Sequence, residues 1–173
     1  MTQEERNELI ALLQKSEADL LAAIKDVSED FFTYKPYEDT WSIAEIIEHL
    51  IIADTGLLIS IKKKGEKIRD TVPETSSNDW IIKATSNRKR LVTAPHFLLP
   101  KGIFTSKEVA IQAFRKNRAT IEEFLNTTDF PLEKIAFKHF ALGLLNGKNW
   151  MAFMAGHCIR HTTQIEEMKK NNT

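Results

Sequence analysis

His157 and His161 stand one turn apart in "GHCIRHTTQIE", residues 156–166, next to a stretch built from Trp, Phe and Met. Residues at i and i+4 lie one above the other on a helix face, so two imidazoles placed this way can converge on one metal ion. His49 stands in a separate segment, "WSIAEIIEHLIIAD", where Ile46, Ile47 and Leu50 carry its ring onto or beside a buried face. A buried imidazole must hydrogen-bond or ligate, because an unpaired polar group costs about 1 to 3 kcal/mol. Three inward histidines on two helices are a geometry for capping a divalent ion, and bundle cores build metal sites in this manner. Three imidazoles with an open fourth position also form a catalytic arrangement. The spacing alone suits two ordinary helix histidines better than a metal pair.

Two familiar metal motifs are excluded. Cys158 stands where a zincin would carry its general-base glutamate, and no Glu-x-x-His pair of the di-iron type is present. Around the histidines, Gln164 lies three residues after His161, where it can orient a ligand or a bound water or simply edge the core. Glu45 lies one turn before His49 and is a candidate acceptor or base, although helix capping already gives it a simpler task. Arg160 is either an anion contact or a solvated helix position. Cys158 points about 100° away from His157 around the helix and is expected to be a small buried hydrophobe. His96 and His139 fall in loop-like surroundings and are not assigned as ligands. Trp41 and Trp150 open their helices and are expected to pack as core or rim anchors.

Four helical segments must position these residues. The first runs from Gln3 to Val27, with Leu9, Ile10, Leu13, Leu20, Leu21 and Ile24 as its apolar stripe. The second is "WSIAEIIEHLIIADTGLLISIKKKG", the third begins at "TSKEVAIQAFRKNRATIEEFL", and the fourth spans Lys148 to Lys170. Thr2 with Glu5, Ser42 with Glu45 and Thr105 with Glu108 have capping-box spacing. Lys62 to Lys64, and Lys169 with Lys170, place cations where a helix C-terminus favours them. Little of the chain reads as strand. Between the second and third helices lies a long segment with three of the five prolines and one short helix after Asn78 and Asp79. A helix of about 22 residues is roughly 33 Å long. A connection of this length lets two successive helices run parallel, which gives an all-α, four-helix bundle with a long crossover between helices two and three. Residues 70–104 are then a plain crossover or a lid.

Composition narrows the function. At 173 residues the chain has the size of one domain and can bury a core without disulfides. Its 24 basic and 24 acidic residues cancel, so no net field draws it to nucleic acid or an anionic membrane. One cysteine excludes an internal disulfide framework and a thiolate zinc finger. The start, "MTQEERNELI", is unlike a signal peptide, and no apolar run is long enough to span a membrane, so a cytoplasmic location is expected.

"WSIAEIIEHL", followed about a hundred residues later by "GHCIRHTTQIEEM", resembles the DinB-like superfamily, which includes YfiT-like metal-dependent hydrolases. The resemblance covers residues 1–173 as a single DinB-like bundle domain. It implies an up-down-down-up order of helices and a nickel or zinc ion held by one histidine of helix two and two of helix four. Those positions match His49, His157 and His161. It also implies that the segment holding His139 lines the pocket mouth. Homodimers are common among members, although no distinct seam is evident here.

Two kinds of function follow as expectations. One is a metal-dependent enzyme acting on a small-molecule substrate, a hydrolase or a transferase that uses a low-molecular-weight thiol. A general base is not obvious beside the pair, which fits a mechanism where the ion itself activates the nucleophile. The other is a non-catalytic metal-binding bundle or a helical interaction domain. An open fourth position facing a pocket would favour catalysis.

Overall fold

The computed structural model describes residues 1–35, 37–65, 68, 70–89 and 92–172. Four long helices carry the architecture: α1 (Gln3–Ile24), α3 (Ile43–Gly65), α5 (Lys107–Thr127) and α6 (Gly147–Asn171). Two shorter helices, α2 (Glu29–Thr33) and α4 (Asn78–Ser86), lie in the connections. The alternation of apolar and charged residues explains the long helices. In α1, Leu9, Leu13, Leu20 and Ile24 are buried, while Ile10 and Leu21 sit at the edge of the same stripe.

The first two capping boxes form. Thr2 Oγ1 accepts from the Glu5 N–H at 3.2 Å and Glu5 Oε2 accepts from the Thr2 N–H at 2.8 Å. Ser42 and Glu45 exchange the same pair of bonds, at 3.2 and 2.9 Å. The third does not form: the cap of α5 is Ser106, not Thr105, and Ser106 makes no side-chain capping bond. The Lys107 N–H donates instead to Glu29 Oε2 at 2.9 Å, so a carboxylate from α2 satisfies the positive end of α5.

Contacts between named residues fix the helix directions. Lys148 meets Glu5 at one end of α1 and Lys169 meets the Ala23 carbonyl at the other, so α1 and α6 run parallel. Asn117 meets Thr55 and Lys62 lies over the Phe124 ring, so α3 and α5 also run parallel. Gln14 bonds Glu122 while Lys107 reaches the Lys25 carbonyl, so α1 opposes α5. The result is an up-down-down-up four-helix bundle in which parallel α3 and α5 require the long crossover.

That crossover is not bare chain. Its helix α4 lies on α6, and the approach is tight at Gly156, where a Cβ would fall 3.1 Å from Ile82 Cα, Ile82 O and Thr85 Cβ. A 3₁₀ turn, His96–Leu98, then brings the chain back across α3.

Strand is as scarce as the sequence suggests, confined among the described residues to one short hairpin. β1 (Ala136–His139) pairs antiparallel with β2 (Gly143–Asn146), closing with His139 opposite Gly143. Gly143 has φ +78°, a left-handed conformation that glycine adopts without a Cβ clash. His139, expected in a loop, is therefore the last residue of a strand. Trp150 is 3% exposed and stacks on Phe137 at 4.5 Å, which joins this hairpin to α6.

Candidate metal centre

The three histidines come from two helices, α3 and α6. His49 is in the second turn of α3, and His157 and His161 occupy successive turns of α6. Their potential ligand atoms all lie within 4.8 Å of one another. His157 Nε2 is 3.2 Å from His49 Nε2 and 3.1 Å from His161 Nε2. In a tetrahedral site with metal–nitrogen bonds of 2.0–2.1 Å, neighbouring nitrogens are about 3.3 Å apart, so the spacing fits a shared ion.

The outer nitrogens show why the Nε2 atoms face inward. His49 Nδ1 is 2.8 Å from the Leu98 carbonyl oxygen. A carbonyl only accepts, so this nitrogen carries the proton and Nε2 is left with its lone pair. His161 Nδ1 is 2.9 Å from Gln164 Oε1 and is fixed in the same sense. Two lone pairs directed at one point repel unless a proton on His157 or a cation lies between them. The third ring differs: His157 Nδ1 is buried with no hydrogen-bond partner among the described residues, and its ring stacks on Phe153 at 5.4 Å. Trp41 covers the cluster, 4.6 Å from the His49 ring and 6.3 Å from that of His161.

Burial keeps these rings neutral. Desolvation lowers His49, and it lowers His157 well below the usual histidine range with the neighbouring His161 and His49 adding to the effect. His161 is pushed down to about 3, chiefly by burial. A neutral imidazole is the form that ligates a metal.

The cluster opens on a cavity of about 1160 Å³, large enough for a small organic ligand. Trp41, Phe153, Trp150 and Leu98 supply much of its apolar wall, and Phe97 and Phe140 stand at its exposed edge. His139 also lines it, so the hairpin borders the pocket. Asp39 is the sole carboxylate among the described lining residues.

Gln164 touches His161 directly. Glu45 does not line the cavity: Oε2 accepts from the Ser42 N–H and Oε1 from Lys35 Nζ at 3.1 Å, so both oxygens serve the start of α3. Arg160 lines the cavity wall, and its Nη1 donates to the Asn87 carbonyl at the end of α4. Cys158 is fully buried, its thiol donates to the Ser16 carbonyl at 3.3 Å, and burial pushes its pKa up to about 11. His96 is exposed and lies outside the cluster. The segment 70–104 lines part of the cavity through Ala84, Thr85, Asn87, Arg88, 92–95 and 97–99, with residues 90 and 91 outside the described set.

Sequence reasoning missed three contributors. The Leu98 carbonyl has no side-chain signature at all. Arg88, which reaches Gln164 Oε1 at 3.4 Å, sits in a basic run that looks solvated. Glu48 accepts from the N–H groups of Lys101, Gly102 and Ile103 at 2.8, 2.8 and 3.1 Å, clamping the crossover one residue before His49. Its burial at 3% exposure follows from its helical phase beside Ile47 and His49, which was the available signal.

Bundle and site together define a helical protein with a pocket-facing histidine triad. The chain belongs to the DinB superfamily, whose sequence model matches residues 12–165. YuaE of Bacillus subtilis strain 168, an uncharacterised protein, is 25% identical over 152 residues, which span 85% of this chain and 88% of YuaE. Among solved structures, YfiT from Bacillus subtilis superposes with a TM-score of 0.66 at 14% identity, over 99% of this chain and 90% of YfiT. YfiT is described as a probable metal-dependent hydrolase with an unusual four-helix bundle topology. At that identity the likeness establishes the fold. No helix among the described residues is long and apolar enough to cross a membrane.

Proposed function

We propose that His49, His157 and His161 hold one divalent metal ion, nickel or zinc, and that the centre is catalytic toward a small molecule bound in the cavity. The observation that carries this reading is the convergence of three Nε2 atoms at the wall of a cavity, with two of the rings held from behind by acceptors. An ion bound there would lower the pKa of a water or thiol brought to it and polarise a carbonyl.

The residues divide the remaining work. Leu98 and Gln164 orient His49 and His161, and Trp41 with Phe153 shields the cluster from bulk water. The apolar wall takes the body of the ligand. The scarcity of carboxylates around the cavity favours reactions needing no separate general base: hydrolysis by activated water, or transfer of a low-molecular-weight thiol. The description of YfiT as a metal-dependent hydrolase supports the first of these.

Elemental analysis tests the reading on protein purified without a histidine tag, beside His157→Ala and His161→Ala. About one equivalent of nickel or zinc, lost in both variants, is the expected result. Protein still empty after incubation with both metals would overturn it.

A further inference from the structure

We propose that Arg88 is a positioning residue that decides which nitrogen of His161 faces the triad, a proposal that rests on the metal-centre reading above. Arg88 belongs to the crossover, two residues beyond α4, and bonds to none of the three histidines in the described contacts.

An amide presents two faces, one that accepts and one that donates. Gln164 can offer His161 Nδ1 either its oxygen, which accepts, or its NH₂, which donates. The first choice places the ring proton on Nδ1 and leaves the Nε2 lone pair facing His157. The second places the proton on Nε2, where it blocks ligation. Nothing about Gln164 and His161 alone selects between them. Arg88 does, because a guanidinium has donors and no acceptor. Its Nη1 lies 3.4 Å from Gln164 Oε1, the same oxygen that lies 2.9 Å from His161 Nδ1. A turned amide would oppose NH₂ to the guanidinium N–H and lose that bond.

Arg88 is itself anchored. Glu167 Oε2 accepts from its Nη2 at 2.7 Å and its Nε at 3.2 Å. Glu167 lies three residues after Gln164, so one face of α6 presents ligand, orienter and anchor in succession: His161, Gln164, Glu167. Because Glu167 meets the charge of Arg88, the guanidinium is built for orientation more than for capturing an anion from the cavity. His49 needs no such device, since the Leu98 carbonyl that fixes it cannot donate.

The test compares wild type, Arg88→Met and Arg88→Met/Gln164→Glu, each first shown to be folded by the dispersion of its amide spectrum. In metal-free protein, nitrogen-15 NMR of the histidine rings reads the tautomer. Wild-type His161 should carry its proton on Nδ1, and Arg88→Met should populate the Nε2–H form. Competition with a chelator should show nickel binding about tenfold weaker in Arg88→Met, the scale on which outer partners act. A carboxylate at 164 has no donor to turn toward the ring, so the double variant should restore both the tautomer and the affinity. An unchanged His161 tautomer in Arg88→Met would overturn the proposal. So would an affinity loss that Gln164→Glu leaves unrepaired. Wild type that takes up no nickel would overturn the metal-centre reading, and the tautomer comparison would still decide the role of Arg88.

Discussion

Five residues along α3 from His49 lies Asp54, and the two belong to buried polar clusters built on opposite terms. The histidine cluster turns its Nε2 atoms toward one point at the edge of a cavity, with Leu98 and Gln164 behind two of the rings. Asp54 instead meets Arg118 of α5 at 3.3 Å, and neither side chain has any exposed surface. The polar atoms of both find no hydrogen-bond partner among the described residues, and the Phe114 ring lies 5.0 Å from the guanidinium. The first cluster faces a cavity. The second sets two buried charges against each other, ties α3 to α5 at one register, and brings the Arg118 charge to bear on Cys158 of α6. A buried pair of this kind gains little net stability, yet losing one partner strands a charge in an apolar core.

That contrast can be broken most forcefully at Arg118. Arg118→Met leaves Asp54 uncompensated and should cost about 3 to 5 kcal/mol in urea unfolding, with most of the loss returned in Asp54→Leu/Arg118→Met. A neutral Arg118→Met would mean that water reaches the pair and that the two clusters do not differ as described. Next in size is the effect of the ion. Nickel at a hundred times its Kd should stabilise wild type by about 2.7 kcal/mol. It should stabilise the Asp54→Leu/Arg118→Met protein equally and His157→Ala not at all. Loss of the metal effect in the double variant would show that the clusters act as one.

A third contrast is in pH, where the clusters pull in opposite directions. Burial lowers His161 from an ordinary 6.5 to about 3, so the stability it contributes to metal-free protein is whole above 6.5 and is lost as pH falls toward 3. Burial raises Asp54 from an ordinary 3.8 to about 6 against the pull of Arg118, so its contribution is whole below 3.8 and is lost as pH rises toward 6. Unfolding measured with a chelator present should therefore show a shallower acid limb in His161→Ala. Asp54→Asn should steepen the same limb between pH 3.8 and 6. Matching changes in the two variants would contradict the opposed signs.

The histidine cluster was only half legible from its local signal, two rings one turn apart and a third among isoleucines; it was the resemblance to the DinB-like superfamily that joined the three. The helices and crossover were legible for a related reason, since apolar period and connection length are written along the chain. The Asp54–Arg118 pair was not, because a lone charge in "IIADTGLL" and another in "RKNRATIEE" resemble solvated helix positions until the two helices are laid side by side. The hairpin at 136–146 escaped because four-residue strands give too few alternations to register. The start of α5 was misjudged for a different reason: Thr105 has the right spacing, but Glu29, 78 residues away from Lys107, satisfies that end instead. Pairings between distant parts of the chain leave little trace in either partner's own neighbourhood.

Anomalous diffraction from crystals of untagged protein soaked in nickel tests the central claim most directly. The account predicts a single strong peak about 2.0–2.2 Å from the Nε2 atoms of His49, His157 and His161, with its remaining side toward the cavity. Full occupancy at His96 or His139 with nothing between the three rings would contradict it.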